Sequence, residues 1–357
     1  MKSQRLAILQ PMIPHYRTDF FHILNKICDD VSLFTYVDEN NYKASGFHVQ
    51  MKSDHIESIQ LGPVLLYNPL PFLSKKYDTL VLMLNFGHIT TWLLLFFKYF
   101  IHKKIIVWGQ GISVKRYLKE ESHPDWKLKL MINLADGVWF YMDKECQQWR
   151  RIFPNKPMVA LGNSVSGIEE MLEYCPNKSK DVLKKKYGIK EQRVFLFCAR
   201  FESNYRRIDL LIEIIEKLDQ NNNGFIIIGS GKNKPDFSKY SNVYDFGAVY
   251  DNGIKRELFS ISDIYLQPGW VGLSIVEAMA YGKPTFTFIR SKETLQCVEY
   301  SYIEDGINGI IFKDIDDCMA KLSKIGNNEL NLMGKNAQNT IRSHTPTKMA
   351  FKAVSII

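Results

Sequence analysis

The chain lacks a hydrophobic run long enough to cross a bilayer. Its longest apolar stretch, Trp92 to Ile101, is interrupted by Lys98 and falls well short of the ~20 residues that a membrane-spanning helix needs. Paired cysteines are missing as well. Cys28, Cys146, Cys175, Cys198, Cys297 and Cys318 include no Cys-x-x-Cys pair and have no histidine cluster near them. That pattern excludes a disulfide framework and a zinc site, and it suits a reducing compartment. Cys198, inside Val194-Phe-Leu-Phe-Cys-Ala199, reads as a core thiol. There is no low-complexity tract. No signal peptide is expected, because Met1-Lys-Ser-Gln-Arg leads straight into the strand-like Leu6-Ala-Ile-Leu.

What is present is an ordinary globular composition. Hydrophobic residues make up 46% and charged residues 24% of the 357 positions, so disordered and fibrous architectures are excluded. The length suits two domains, each with its own core. The net charge of +8 is basic without forcing a nucleic-acid partner, and none is expected. The excess is uneven: residues 1–165 carry 20 basic and 14 acidic side chains, so +6 of it lies in the first half. That half is expected to meet any anionic partner.

Short apolar strands alternate with helical stretches. Strands are predicted at 5–10, 31–37, 79–84, 104–108, 137–141 and 157–161, with helices at 17–28, 89–101, 122–135 and 143–152. The polar region 38–60 reads as loops with a hairpin. Pro176, Asn177 and a short Asp181–Tyr187 helix closed by Gly188 mark a linker, with the boundary near 165–185. The pattern then restarts, with strands at 194–199, 224–228, 243–246, 264–266 and 285–288. Helices are predicted at 207–219, 254–260 and 273–281. The expected class is α/β: two doubly wound domains facing across a cleft, with ligands outside the carboxyl ends of the strands. The divisions are 1–170, 171–345 and a C-terminal helix over 346–357 that packs back on the first domain.

The segment Gln267-Pro-Gly-Trp-Val-Gly-Leu-Ser-Ile-Val-Glu-Ala-Met-Ala-Tyr-Gly-Lys-Pro284 joins a strand end to a helix through a glycine-containing loop. Gly269 and Gly272 would allow tight turns and close ligand approach. Backbone N–H groups there suit phosphate or sugar oxygens. Glu277, one turn into the helix, could accept hydrogen bonds from vicinal hydroxyls; the alternative is a surface glutamate. In Ala199-Arg-Phe-Glu-Ser-Asn-Tyr-Arg-Arg-Ile-Asp-Leu-Leu211, Arg200 and Arg206 stand at a strand end and a helix start. Two guanidinium groups there can grip a diphosphate, and cations at a helix N-terminus oppose its dipole unless an anion binds. The alternative is a solvated basic face.

Both segments resemble retaining glycosyltransferase family 4, the nucleotide-sugar-dependent enzymes of the glycosyltransferase-B fold. Gly272-Leu273, Glu277-Ala278, Ala280, Gly282 and Pro284 match the family block in register. The resemblance implies that Glu277 binds the ribose hydroxyls and that Arg200 and Arg206 bind the donor diphosphate. The family's first glutamate falls on Gly269 here, as in bacterial polysaccharide transferases with a Pro-Gly-x-x-Gly-Leu variant. Gly269, Trp270, Gly272, Leu273 and Ser274 would line the donor site. Phe246-Gly247-Ala248-Val249 resembles the loop that touches the nucleotide base. Gly229-Ser-Gly231 and Gly306-Ile-Asn-Gly309 resemble later family turns and read as structural.

The first half matches more loosely. His15, Tyr16 and Arg17 follow the first strand, where the family's first loop meets acceptor and donor phosphates. Trp108-Gly-Gln-Gly-Ile112 resembles a Trp-Gly-His-Gly motif of some relatives, with Gln110 in the histidine's place; a glutamine can hydrogen-bond a hydroxyl but cannot act as a base. His88 is either a cleft contact or a helix-start residue. Asp314-Ile-Asp-Asp317 has the look of a metal-binding Asp-x-Asp, but it precedes a helix and reads as a cap. No metal and no cofactor are expected.

The resemblance implies sugar transfer with retention from a UDP-sugar, rather than a GDP-sugar, to a glycan or lipid-linked acceptor in bacterial surface polysaccharide synthesis. Alternatives are a nucleotide-sugar 2-epimerase on the same fold and a non-catalytic partner subunit. Leu93–Lys104 and Trp149-Arg-Arg-Ile-Phe153 combine aromatic and basic residues. They suit an anionic membrane surface if the aromatics are exposed, and hence a cytoplasmic protein peripheral on the inner membrane face. Otherwise they are core.

Overall fold

The computed structural model describes residues 4–38 and 51–357. It divides the chain into two units. One comprises residues up to Gly167 together with His344–Ile357, and the other is Ile168–Ser343.

The first unit is built on strands β1 (Arg5–Gln10), β2 (Asp30–Thr35), β3 (Asp54–His55), β6 (Thr79–Met83), β7 (Lys104–Gly109), β8 (Gly137–Phe140) and β9 (Met158–Ala160), with β4 (Ser58–Leu61) and β5 (Val64–Tyr67) forming a separate hairpin. The sheet order is β3-β2-β1-β6-β7-β8-β9, and every pairing in it is parallel. Alternation explains why. Ala7 and Leu9 enter the core on one face of β1, while Leu6 and Ile8 enter the core on the other. All four are fully buried, as a sheet covered by helices on both faces requires. The hairpin expected within 38–60 falls at 58–67, and residues 39–50 of that region lie outside the described residues.

The helix expected over 89–101 is broken in two, Ile89–Phe96 and Lys98–Ile101. The break falls at Phe97, whose backbone (φ −93°, ψ 9°) leaves the helical region. The second piece turns the Lys98 ammonium inward to the Leu134 carbonyl at 2.7 Å and the Asp136 carboxylate at 2.6 Å. His102, with φ 52°, ends the second piece. The helix expected from 122 begins at Trp126, because Asp125 caps it by accepting the Lys127 N–H at 2.8 Å. One expected surface stretch is not an aromatic surface. Trp149 is fully buried and donates to the Gly111 carbonyl at 2.8 Å, and Phe153 is half-buried, so of Trp149–Phe153 only Arg150 and Arg151 are exposed.

The C-terminal helix, Pro346–Val354, packs on the Thr18–Ile27 helix. Its Met349, Ala350 and Ala353 complete the core with Phe20, Phe21 and Trp108.

The second unit contains β10 (Arg193–Cys198), β11 (Asn223–Ile228), β12 (Val243–Asp245), β13 (Ile264–Leu266), β14 (Thr285–Phe288) and β15 (Gly309–Phe312). Their order is β12-β11-β10-β13-β14-β15, all parallel. This is the doubly wound order in which the strand sequence reverses direction between β10 and β13. A helix that the sequence did not suggest, Ile168–Glu173, opens the unit. Ser179 and Gly188, the latter at φ 72°, bound the Lys180–Tyr187 helix that follows.

Candidate functional site: the switch point of the second unit

Strand topology concentrates the predicted residues. Because all six strands are parallel, their carboxyl ends share one edge of the sheet. Arg200 and Arg206 follow β10, Gly247, Ala248 and Val249 follow β12, and the Gln267–Leu273 loop follows β13. The β10 and β13 segments flank the point where strand order reverses, the place where open α/β sheets bind ligands.

The β10 segment is shaped by a short turn, Asn204–Arg206, in which Ser203 caps the Tyr205 N–H at 3.2 Å. Arg207 then takes a left-handed conformation at φ 52° and starts the Ile208–Lys217 helix. Its guanidinium forks onto Asp209, at 3.0 Å from Nε and 2.7 Å from Nη2. The hydrogen bonds from Arg207 hold the Asp209 carboxyl below the usual carboxylate range. Arg207, a third cation at this helix start, is answered internally by the Asp209 carboxylate. Arg206 differs. It is mostly buried, it donates to the Trp270 carbonyl at 2.9 Å, and burial lowers its affinity for a proton. No ion pair to Arg206 is found among the described residues. Arg200 is exposed at the strand end.

Two glutamines, neither of them anticipated, brace the β13 loop. Gln267 is fully buried and donates to the Gly269 carbonyl at 2.9 Å. Gln296, equally buried, accepts the Val271 N–H at 2.7 Å and donates to the Phe288 carbonyl at 2.8 Å and to Thr287 Oγ1 at 3.0 Å. Gln267 stands within the conspicuous motif. Gln296 lies in a polar stretch with no periodicity, where no sequence signal marks it.

Gly269 is required by packing. A Cβ there would lie 2.5 Å from the Tyr205 carbonyl oxygen and 2.8 Å from Arg207 Cγ, so a glutamate at this position would displace the neighbouring loop. Gly272 has no such packing need, since the nearest atoms to its would-be Cβ are 3.9 and 4.0 Å away. Trp270 has φ 53° and stacks on Tyr205 at 4.8 Å between centroids. Leu273 and Ser274 are half-buried at the start of the Ser274–Ala280 helix.

Glu277 is not an open carboxylate. Lys255, from the Asn252–Ile261 helix, reaches its Oε2 at 2.5 Å. Burial alone would lower the Lys255 pKa, yet the adjoining Glu277 charge and Cys198 thiol hold it above the ordinary lysine range. Lys255 was missed because its helix turn shows only amphipathic spacing. Burial raises the Cys198 thiol to about 11.

The remaining glycines of the edge are structural. A Cβ on Gly229 would meet the Ala199 carbonyl oxygen at 1.9 Å, and one on Gly231 the Phe201 carbonyl carbon at 2.6 Å. Asn308 folds the later turn by accepting the Glu304 N–H at 2.8 Å. Asp314 caps the Ile315–Leu322 helix through the Asp317 N–H at 2.8 Å, and Asp317 accepts from Lys313 N at 2.9 Å.

The first unit has its own strand-end cluster. A cavity of about 340 Å³ is lined by residues that include Asn85, Phe86, Gln110, Ser113, Arg116 and Tyr141. Gln110 therefore faces a space able to hold a sugar-sized group. His15 is exposed and Tyr16 half-buried. Arg17 is withdrawn from solvent: only 6% exposed, it lies 5.5–5.6 Å from the ring centroids of Tyr16, Trp108 and Tyr141. His88 is 4% exposed, edge-on to Tyr36 and Tyr67, with no partner found for Nδ1 among the described residues. It is a buried residue at a helix start, where desolvation pushes its pKa down to about 4.

Comparison with known proteins agrees with this geometry. Residues 192–328 match the family described as glycosyl transferases group 1. No curated protein matches the chain in sequence. HepE of Anabaena, solved in complex with UDP, superposes over 99% of both chains with TM-score 0.65 at 14% identity. A glycosyltransferase of Rickettsia africae covers 100% of this chain and 98% of its own, with TM-score 0.65 at 14% identity. The lipopolysaccharide outer core galactosyltransferase WaaB covers 99% of both, with TM-score 0.64 at 15% identity. The chain has the GT-B fold, and the residues that match the group 1 family lie within its second unit.

Proposed function

We propose that the protein transfers a sugar, with retention of anomeric configuration, from a UDP-sugar to a glycan acceptor that is lipid-linked, in surface polysaccharide synthesis at the inner membrane face. The observation that carries this reading is Arg206: a mostly buried guanidinium at the switch point of a glycosyltransferase group 1 domain, bonded to the Trp270 carbonyl. A buried cation bonded to a neutral carbonyl is held ready for an anion. A diphosphate supplies one, and the negative charge on a departing nucleoside diphosphate is what such a site stabilises.

The roles follow from placement. Arg206 and the exposed Arg200 hold the phosphates. The Glu277 carboxylate, oriented by Lys255, accepts from the ribose hydroxyls. Gly247, Ala248 and Val249 meet the base. The acceptor hydroxyl attacks on the face the diphosphate leaves, and a donor phosphate oxygen takes its proton, so no dedicated base is needed. Gln110, lining the cavity of the first unit, hydrogen-bonds the acceptor. UDP as the nucleotide is supported by its presence in the similarly folded HepE, and a lipid-linked surface glycan by the name of WaaB.

The test is a thermal-shift series with UDP, GDP and several UDP-sugars, with and without chelator, because a ligand that binds only the native state raises the melting temperature. UDP should stabilise more than GDP, and chelator should change nothing. Stabilisation by neither nucleotide would reject the reading. Release of free UDP and an altered sugar in the absence of acceptor would instead favour an epimerase.

A further inference from the structure

Three non-glycine residues among those described have positive φ, and two of them, Arg207 and Trp270, meet at one spot. For a bulky side chain this conformation is unfavourable, and it persists only where the surroundings over-determine it. They do so here. The Trp270 N–H donates to the Leu295 carbonyl at 2.7 Å, and its own carbonyl accepts from Arg206 at 2.9 Å. Gln267 and Gln296 fix the residues on either side. The strained backbone sets the indole against Tyr205, with ring planes 15° apart. A hydrophobic core does not need this arrangement, since Trp270 is only half-buried and Tyr205 is 37% exposed.

We propose that Trp270, backed by Tyr205, is the platform on which the sugar of the bound donor stacks, and that it determines which sugars the site accepts. The inference rests on the nucleotide-sugar reading above. The site has a ribose end, at Glu277 and Lys255, and a phosphate end, at Arg206. Trp270 is bonded directly to the phosphate end. In a nucleotide sugar the hexose hangs from the phosphate farthest from the ribose, so a group beside Arg206 faces the sugar. A carboxylate side chain at position 269 is crowded out, because Tyr205 and Arg207 occupy the space it would need. The exposed feature left at this end is an aromatic surface. A pyranose presents a face of C–H groups that lies flat on such a surface, and hydroxyl orientation decides how closely it can approach.

Calorimetric titration of UDP, UDP-glucose, UDP-galactose and UDP-N-acetylglucosamine into the wild type, Trp270→Phe, Trp270→Ala and Trp270→Gly tests this. UDP affinity should stay within about twofold in all four proteins, while the best wild-type UDP-sugar loses about tenfold in Trp270→Ala and Trp270→Gly and little in Trp270→Phe. Trp270→Gly relieves the backbone strain, so it should melt no lower than Trp270→Ala while losing the same sugar affinity; this separates the ring from the loop. Equal weakening of UDP and UDP-sugar would show that the ring organises the loop, and would overturn the proposal. So would undiminished sugar binding in Trp270→Ala. If the wild type binds neither UDP nor any UDP-sugar, the nucleotide-sugar reading itself falls and takes the platform with it.

Discussion

The Lys255 ammonium lies 2.5 Å from Glu277 Oε2, and the two side chains are 22% and 13% exposed. The carboxylate proposed to meet the ribose is therefore also half of a largely buried ion pair. Removing one member of such a pair leaves the other charge uncompensated, at a cost on the order of 3 kcal/mol. Glu277→Ala should lower the melting temperature as well as nucleotide affinity. Adding Lys255→Met to it should recover stability without recovering binding. Lys255→Met alone should raise the Michaelis constant for the donor more than it lowers turnover, because it loosens a ground-state contact. Melting curves and steady-state kinetics on the three proteins check this. A fully stable Glu277→Ala would mean that the pair contributes nothing to the fold.

Much of this site was legible in the sequence, and its limits are physical. Arg200, Arg206, Gly269 and Glu277 stand out because strand ends and glycine-containing loops fall at recognisable places in an alternating β/α pattern, and their segments do follow β10 and β13. Lys255 and Gln296 were not, because their meaning depends on partners 22 and 25 residues away. Lys98 misled for a related reason. On a hydrophobic helix a lysine reads as a solvated charge, but Asp136, across the fold, pairs with it and the side chain is withdrawn from solvent. Trp149 misled because a basic helix can still bury one aromatic, and only the Gly111 carbonyl waiting beneath decides which way the ring points.

Arg206 and Arg200 should behave differently when removed. Arg206 is buried against the Trp270 carbonyl, so its position is fixed before the donor arrives. A preorganised cation acts on charge that grows in the transition state, and its loss should cost about 10²–10³ in turnover. Arg200 is exposed, where solvent screens its charge, so Arg200→Ala should cost less. Arg206→Lys should not rescue fully, since an ammonium cannot hold the Trp270 carbonyl and a phosphate in one planar fork. Single-turnover rates at saturating donor would show it. Equal losses for both arginines would argue against the preorganised role.

His88 gives the fold an acid limit. Burial lowers its pKa to about 4, whereas an unfolded histidine titrates near 6.5. Between those values the unfolded chain binds a proton that the native state refuses, so stability rises with pH across this window. It is complete above about pH 6.5 and falls toward pH 4, by about 3 kcal/mol in all for a shift of this size. His88→Gln removes the titrating group. Urea midpoints for the variant should vary less than wild type between pH 7 and 4.5. If the two proteins lose stability in parallel over that range, another group sets the acid limit.

The last expectation concerns the surface around the Ile89–Phe96 and Lys98–Ile101 helices. Phe96 and Phe97 are each 54% exposed and Phe100 is 80% exposed, and Trp126, on the neighbouring Trp126–Leu134 helix, is 68% exposed. A run of aromatics this exposed, on three helices, is larger than the scattered apolar residues of an ordinary surface. Lys103 is not a free charge there, since it donates to the Ser74 carbonyl at 2.7 Å. Lys127 is the cation that accompanies the rings, lying 5.0 Å from the Phe86 centroid and 5.8 Å from that of Trp126. Aromatics flanked by lysines suit an anionic bilayer surface, where rings enter the interface and charges meet headgroups. The protein should pellet with phosphatidylglycerol-containing vesicles. Phe96→Ser with Phe100→Ser should abolish most of that binding while leaving UDP affinity unchanged, because these residues lie in the first unit and the nucleotide residues in the second. Salt should release the wild type only in part: charges are screened within ~10 Å at 0.1 M, but the apolar contribution is not. Complete release by salt would reduce the aromatics to bystanders, and the absence of any vesicle binding would remove the membrane from the proposal altogether.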